Sequence, residues 1–412
     1  MKYGLIGNPL GHSWSPEIHQ LLAGIPYEKK VLQEEELHDF FAKRDFQGIN
    51  VTIPYKEAVI PYLDEIDDSA KEIGAINCIV NEGGKLKGYN TDCSGCRKML
   101  ESNGIDPCGK RVAILGSGGA AKAVVVAIRQ MKGIPVIVSR HPDETMISYE
   151  ELYARASEFQ MIVNATPVGM KPDCDKCPVD IAVFEHLEAV VDIVANPLMT
   201  RLLFTARMRG IPCCGGFEML VRQAAEADVL FTGTAVDEET IDRCMRKLLC
   251  ARRNIVLIGM PTSGKTTLAE MIASHTGRPL LEMDEVLVDR LGMSIKECFA
   301  QYGESYFRKM ETELAKDLRY KEGIVISTGG GIIKNEENMR YLHENGIVIA
   351  IDRDPSLLYP TDSRPLSSNE EAVRALYEER KYLYQKYSDI VVDNNGSLQD
   401  TFDEIMKITG EE

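Results

Sequence analysis

The sequence predicts an α/β protein with parallel sheets, organised in more than one domain. Three observations predict it. A short apolar run, a glycine-rich turn and a helix-like stretch succeed one another at Lys2–Gly7, Arg111–Gly119 and Asn254–Lys265; strands alternating with helical patterns belong to parallel sheets covered by helices. The length of 412 residues exceeds one hydrophobic core, since domains hold ~100–200 residues. Apolar residues at 44% and charged residues at 27% are a globular balance, which excludes a disordered chain, a collagen and a coiled coil.

In chain order, the first apolar run leads into GNPLGHSWSP, beginning at Gly7. Pro16 starts a helix, and Ser13 and Ser15 stand two residues apart at its positive end. They can grip a carboxylate, or one of them can simply cap the helix. Next comes a strand, Gly48–Thr52, read on through NVTIPYK as a strand ending in Lys56. GAIN ends at Asn77 and GYNTD at Asp92. A turn-rich stretch near Glu101–Lys110 then marks a boundary.

Beyond it, strand Val112–Leu115 runs into Gly116, Ser117, Gly118, Gly119 and Ala120 at the start of a helix. Glycines there let the backbone turn sharply and approach a pyrophosphate seated on the helix N-terminus. The next strand, Val136–Ser139, ends at Arg140. An acid at that place suits the ribose hydroxyl of NAD, a cation the 2′-phosphate of NADP, so NADP is the expected cofactor. Strands follow at Met161–Asn164 and Val190–Ile193, and a helical stretch near 217–250 ends the module.

A second boundary falls near Cys250–Asn254. Strand Ile255–Ile258 precedes Gly259, Ser263, Gly264, Lys265, Thr266 and Thr267 in the pattern G-x-x-x-x-G-K-T. This is a P-loop: backbone amides cradle phosphates, Lys265 reaches the β- and γ-phosphates and Thr266 offers a hydroxyl to Mg2+. ATP is therefore the expected second nucleotide. The next strand is read as ending at Leu281-Glu282-Met283-Asp284, and later strands at Gly323–Ser327 and Val348–Asp352, with an acidic helical tail after Asn394.

Composition narrows the partners. A net charge of −16 argues against nucleic acid, which needs a concentrated basic surface. No apolar run approaches the ~18 residues of a membrane span, and the N-terminus lacks a signal-peptide core, so a cytoplasmic protein is expected. The eleven cysteines read as reduced thiols in that setting. Two C-x-x-C spacings, Cys93/Cys96 and Cys174/Cys177, lie about eighty residues apart, too far along the chain to read as one zinc knuckle.

Taken together, the motifs of residues 1–250 resemble the shikimate dehydrogenases: G-N-P-x-x-H-S-x-S-P, N-V-T-x-P-x-K, G-A-x-N, N-T-D-x-x-G, G-x-G-G-A, N-A-T-P-x-G-M and G-x-x-M-L-x-x-Q-A occur in that order. The resemblance implies reversible hydride transfer between NADPH and 3-dehydroshikimate. It makes Lys56 and Asp92 the catalytic pair and Ser13, Ser15, Thr52, Asn77 and Gln223 substrate contacts. It assigns Ser139, Arg140, Asn164, Thr166, Gly215 and Met219 to the cofactor side. Two places depart from the family pattern: Ser139-Arg140-His141 stands for Asn-Arg-Thr, and Ala195 replaces a tyrosine.

From residue 254 to about 390 the sequence resembles the shikimate kinases, through the P-loop, Glu282-Met283-Asp284, GESYFRKME ending at Glu311, Gly329-Gly330-Gly331, Arg364-Pro365-Leu366 and Arg380. By that resemblance Asp284, Arg308, Gly330, Gly331 and Arg380 bind shikimate and Asp284 accepts the proton of the attacking hydroxyl. Arg364 arrives with a lid to neutralise the transferring phosphoryl group, and Glu282 joins Thr266 at the metal. Glu282 stands where the family has aspartate, and Leu357 where it often has an arginine.

The implied architecture is a two-domain dehydrogenase followed by a kinase. Residues 1–101, completed by helices near 217–250, form an α/β substrate domain. Residues 102–216 form a Rossmann-like NADP domain, and residues 254–412 a P-loop kinase domain with a parallel sheet. The implied function is bifunctional: reduction of 3-dehydroshikimate to shikimate, then its phosphorylation to shikimate 3-phosphate, with small-molecule partners and no obligatory protein partner. A quinate or cyclitol-acid dehydrogenase fused to a small-molecule kinase, and a chain with one module serving as a silent ligand sensor, are the alternatives.

Overall fold

In the computed structural model, which describes residues 1–11, 13–359 and 369–411, the strands gather into three sheets. Two lie in a first unit, Met1–Met245, and one in a second, Arg246–Glu412. The Arg364-Pro365-Leu366 motif falls outside the described residues.

The first sheet holds β1 (Tyr3–Gly7), β2 (Glu28–Val31), β3 (Gly48–Val51), β4 (Glu65–Ile66), β5 (Cys78–Glu82) and β6 (Lys85–Tyr89) in the order β2-β1-β3-β5-β6-β4. It is mixed rather than wholly parallel. β1 pairs in parallel with β2 and β3, while β5 runs antiparallel to both β3 and β6. The reversal comes from Gly83 and Gly84, with φ of 62° and 97°, a two-residue turn whose left-handed backbone suits glycine. One face packs Ile6, Ile49, Val51, Ile79 and Leu86. The other packs Tyr3, Cys78 and Val80 against Ala227 and Phe231 of the returning helix Phe217–Thr232.

The second sheet is all parallel: β7 (Arg111–Leu115), β8 (Ile134–Val138), β9 (Met161–Asn164), β10 (Ala189–Asp192) and β11 (Cys213–Gly215), in the order β11-β10-β9-β7-β8. Alternate residues of β7 face opposite layers, Val112 and Ile114 with the helix Gly119–Gln130, Ala113 and Leu115 with the other core. Because the chain leaves β7 for β8 on one side and crosses to β9 on the other, the C-terminal end of β7 is a topological switch point, where such sheets bind ligands.

The second unit repeats the device. β12 (Asn254–Gly259), β13 (Leu280–Glu282), β14 (Val325–Ser327), β15 (Gly346–Asp352) and β16 (Ile390–Asp393) are parallel in the order β13-β14-β12-β15-β16, with the switch point after β12. The tail after Asn394 is more than a solvated helix: Phe402, Ile405 and Met406 of Leu398–Thr409 fill the core beside Leu257, Ile272 and Ile349.

Two site residues sit on other elements than expected. β3 ends at Val51, so Lys56 lies in a turn-rich segment five residues beyond the strand. β13 ends at Glu282, and Asp284 is the second residue of the helix Met283–Leu291. Among the described residues no helix is long and apolar enough to cross a membrane, and no cluster of three or more His, Cys, Asp or Glu could hold a metal. All eleven cysteines are free, Cys93, Cys96 and Cys174 buried and Cys177 exposed.

Candidate active sites

In the first unit the site grows from two loop segments pinned together. Ile76 N donates to Lys56 O at 2.7 Å, which sets the segment carrying Lys56 against the approach to Asn77. Asp92 is the first residue of the helix Asp92–Ser102, so its carboxylate meets the positive end of the helix dipole. Lys56 Nζ donates to Asp92 Oδ2 at 2.5 Å, with the two side chains 15% and 9% exposed. Asn77 Nδ2 donates to Asp92 Oδ1 at 2.9 Å and to Thr91 Oγ1 at 3.0 Å, while its Oδ1 accepts from Thr91 N. Thr91 Oγ1 reaches Gln223 Oε1 at 3.3 Å. Gly95 makes that possible: a Cβ there would stand 3.1 Å from both Met219 O and Gln223 Cβ, so the helices bearing Asp92 and Gln223 touch through their backbones.

Ser13 Oγ donates to Ser15 Oγ at 3.1 Å and accepts from Ser15 N. Trp14 between them is buried and packs edge-on to Phe217 at 5.0 Å, tying the serine loop to the start of the helix that carries Gln223. Thr52 abuts Gly7, where a Cβ would lie 2.5 Å from Thr52 Cγ2. The structure thus joins Lys56, Asn77, Asp92 and Gln223 in one network. Among the described residues, no hydrogen bond links the side chains of Ser13, Ser15 and Thr52 to it.

The glycine turn closes on the same place. Gly116 has φ 108°, and Gly119 opens the helix with Cβ space only 3.2 Å from Lys56 Cβ and Ala75 Cβ. Ser117 and Gly118 are exposed and Ala120 half-buried on that turn. At the end of β8, Ser139 Oγ accepts from His141 N and Arg140 is exposed. Asn164 is wholly buried. Its Nδ2 donates to Val168 O and Asp192 Oδ1, and its Oδ1 accepts from Thr166 N and Thr166 Oγ1. Its amide therefore shapes the turn that presents Thr166. Asp192 also accepts from Val194 N and Thr200 Oγ1; burial pushes its carboxyl up to about 7, against those hydrogen bonds. Gly215 ends β11, and Met219 is buried one turn into the returning helix.

In the second unit the P-loop joins β12 to the helix Lys265–Thr276. Gly259, Thr262 and Gly264 take φ of 149°, 63° and 97°, which curls the loop so that its amides face inward. Lys265, 5% exposed, donates from Nζ to Gly259 O at 3.1 Å and Met260 O at 2.8 Å. Ser263 Oγ is buried without a hydrogen-bond partner, and Thr267 is exposed on the first turn. Asn394, buried at the end of β16, supports the loop from behind. Its Nδ2 donates to Ser263 O at 2.7 Å, and its Oδ1 accepts from Thr401 Oγ1. Thr266 Oγ1 donates to Glu282 Oε2 at 3.1 Å, whereas Glu282 Oε1 is buried and unpartnered. Burial raises the Glu282 carboxyl, with the Ser327 and then the Thr266 hydroxyl opposing. A hydroxyl beside a buried carboxylate is the hard-oxygen set that Mg2+ takes when phosphates supply the rest.

The glycine turn after β14 gathers the remaining groups. A Cβ on Gly329 would stand 2.6 Å from Asp284 Oδ1 and 3.4 Å from Glu311 Oε1; one on Gly330 would press on Pro261, and one on Gly331 would enter the Arg308 guanidinium. Arg308 donates to Glu304 from Nε and to Glu311 from Nη1. Burial pushes Glu311 up to about 6, against the pull of Arg308. Gly330 O accepts from Arg380 Nη1 at 2.9 Å and from Tyr384 OH at 2.6 Å. Arg380 is 2% exposed, yet its Nε and Nη2 have no hydrogen-bond partner. A buried cation with two idle donors fits a planar carboxylate.

Sequence reasoning passed over Glu311, Tyr384, Asn394 and Asp192. Glu311 stands three residues after Arg308, the spacing of a helical ion pair, and was legible. Tyr384 likewise lies four residues after Arg380 on one helix face. Asn394 acts on the backbone of Ser263, 131 positions away, which no local pattern marks, and Asp192 meets the Asn164 side chain 28 positions back.

Comparison with known proteins follows the same division. A family model for the shikimate dehydrogenase substrate binding domain matches residues 5–79, and one for shikimate kinase matches residues 261–409. The NADP(+) shikimate dehydrogenase of Moorella thermoacetica is 35% identical over 288 residues, which cover 63% of this chain and 96% of that protein. Shikimate dehydrogenase 1 of Peptoclostridium difficile superposes with a TM-score of 0.57 at 34% identity, covering 60% of this chain and 98% of that one. The Thermus thermophilus shikimate 5-dehydrogenase, solved in complex with NADP(H) and shikimate, gives 0.54 at 31% identity, with 60% and 99% covered.

Proposed function

The chain belongs to the shikimate dehydrogenase family and carries a shikimate kinase domain after it, and on that premise we propose how its own residues perform the two reactions. It is a bifunctional shikimate-pathway enzyme: one module reduces 3-dehydroshikimate to shikimate with NADPH, the other phosphorylates shikimate to shikimate 3-phosphate with ATP.

The observation that carries the dehydrogenase mechanism is the 2.5 Å contact of Lys56 with Asp92, backed by a glycine turn packed on the lysine stem. NADPH, when bound, supplies a hydride to the carbonyl carbon. The carbonyl oxygen then needs a proton, and Lys56 delivers it while Asp92 fixes its position. Asn77 and Gln223 orient the hydroxyls of the ring, and Ser13 and Ser15 receive its carboxylate at a helix N-terminus. Arg140, exposed at the end of β8, meets the 2′-phosphate.

In the kinase, Arg380 and Arg308 hold the carboxylate of shikimate, and Asp284 takes the proton of the attacking hydroxyl. Lys265 exchanges the carbonyls of Gly259 and Met260 for phosphate oxygens, a swap of neutral for charged acceptors that favours the bound state. Thr266 and Glu282 would hold Mg2+, which supplies neutralisation of phosphate charge.

Relative kcat/KM for shikimate and quinate in the oxidative direction tests the substrate. Preference for shikimate by about tenfold or more is expected, the size of one discriminating contact. Equal or better use of quinate would move the assignment to a quinate dehydrogenase, with Ala195 in place of the family's tyrosine the first residue to examine.

A further inference from the structure

The substrate half of the dehydrogenase contains a buried histidine–aspartate pair that the mechanism above does not use. His19 Nδ1 lies 2.6 Å from Asp228 Oδ1, the residues being 1% and 0% exposed. Asp228 Oδ2 has no hydrogen-bond partner. A buried carboxyl oxygen left without a hydrogen-bond partner costs free energy that an apolar pair would not, so its placement calls for an account.

The two residues brace the helices that present the site. His19 stands four residues after Ser15 on Ser15–Ala23, and Asp228 is on Phe217–Thr232, which also carries Gln223. From His19 a continuous path leads to the catalytic pair. The imidazole stacks on Tyr27, with ring centroids 4.0 Å apart and planes 16° apart. Tyr27 OH donates to Asn50 Oδ1 at 2.7 Å, Asn50 Nδ2 donates to Asn77 O at 3.2 Å, and Asn77 Nδ2 donates to Asp92 Oδ1 at 2.9 Å. Burial holds the Tyr27 phenol well above its ordinary value, so it stays a donor.

We propose that His19, Asp228 and Tyr27 are positioning residues of the dehydrogenase, which fix the orientation of Asn50 and thereby of Asn77 toward the substrate. The proposal rests on the dehydrogenase reading. Its mechanism is geometric: the hydrogen bond to Asp228 clamps the imidazole plane, the stack clamps Tyr27, and the phenol hydroxyl dictates which end of the Asn50 amide faces Asn77. Asn50, 6% exposed at the centre of the first sheet, has no solvent to substitute for that hydroxyl.

The test uses the full chain with Tyr27→Phe, Asp228→Asn and the double variant. Tyr27→Phe preserves the stack and removes only the hydroxyl, so it separates transmission from simple bracing. The expected result is a rise in KM for 3-dehydroshikimate of about 3- to 10-fold in Tyr27→Phe, the size of one buried hydrogen bond, with kcat nearly unchanged. Asp228→Asn is expected to raise KM alike, and the double variant no further, since all three cut one path. Shikimate phosphorylation by the same preparations is the internal control and stays at the parental rate. A Tyr27→Phe chain with parental KM overturns the proposal, whatever Asp228→Asn does to folding, as does full additivity in the double variant. A parent that does not reduce 3-dehydroshikimate overturns the dehydrogenase reading instead.

Discussion

Replacing Lys56 with alanine removes the proposed proton donor and leaves Asp92 in place. A positioned acid or base contributes ~10²- to 10⁴-fold to rate, which is about 2.7–5.4 kcal/mol of barrier at ~1.36 kcal/mol per decade. The structural cost is smaller. Asp92, 9% exposed with Lys56 in place, keeps the Asn77 hydrogen bond and the helix N-terminus, so the variant loses about 1–3 kcal/mol, the penalty of one under-satisfied buried group. NADPH oxidation followed by absorbance reads the rate. Binding is read separately by Trp14, the only tryptophan of the chain, which sits between the two serines proposed to receive the carboxylate. The expected outcome is a kcat lowered at least ~100-fold, shikimate still perturbing Trp14 fluorescence, and phosphorylation intact. A turnover within about tenfold of the parent would refute proton transfer by Lys56, because that leaves less than ~1.4 kcal/mol for it to supply.

Other expectations follow from the same geometry. Lys265→Ala should abolish phosphorylation while NADPH oxidation proceeds, checked by paired assays on one preparation. Arg380→Ala should raise KM for shikimate in the kinase assay by roughly 10- to 100-fold, since a charged hydrogen bond is worth ~1.5–3 kcal/mol, with the dehydrogenase KM unmoved. Asp192, raised by burial to about 7, binds its proton more tightly folded than unfolded. Its contribution to stability is therefore full below its unfolded value and lost as pH rises through about 7. Thermal denaturation of the parent and Asp192→Asn across that range should show the parent losing ground as pH rises; parallel curves would deny the shift.

Much of the site was legible because its chemistry is carried on short motifs at glycine turns. The turns at Gly116–Gly119 and Gly259–Lys265 follow buried strands whose apolar runs are unambiguous, and both fall at switch points of parallel sheets. Edge strands were harder. β2 reads Glu28–Val31 with every residue exposed, so it gives no apolar signal, and β4 is two residues long. The β5–β6 hairpin did have its signal, Gly83-Gly84 between apolar alternations, and went unread. Lys56 and Asp284 were placed on strand ends because motif and strand were read as one unit. In the structure a turn and a helix start carry them. The supporting residues were the least legible: Asp228 meets His19 across 209 positions and Asn394 meets Ser263 across 131, separations that only the folded chain reveals.

The central claim is that one chain performs two consecutive steps. Incubating it with 3-dehydroshikimate, NADPH and magnesium-ATP, and identifying products by mass spectrometry, tests it most directly. The account predicts shikimate 3-phosphate, formed with shikimate as its precursor and absent when either nucleotide is withheld. Shikimate accumulating without its phosphate, or no turnover at all, would contradict it.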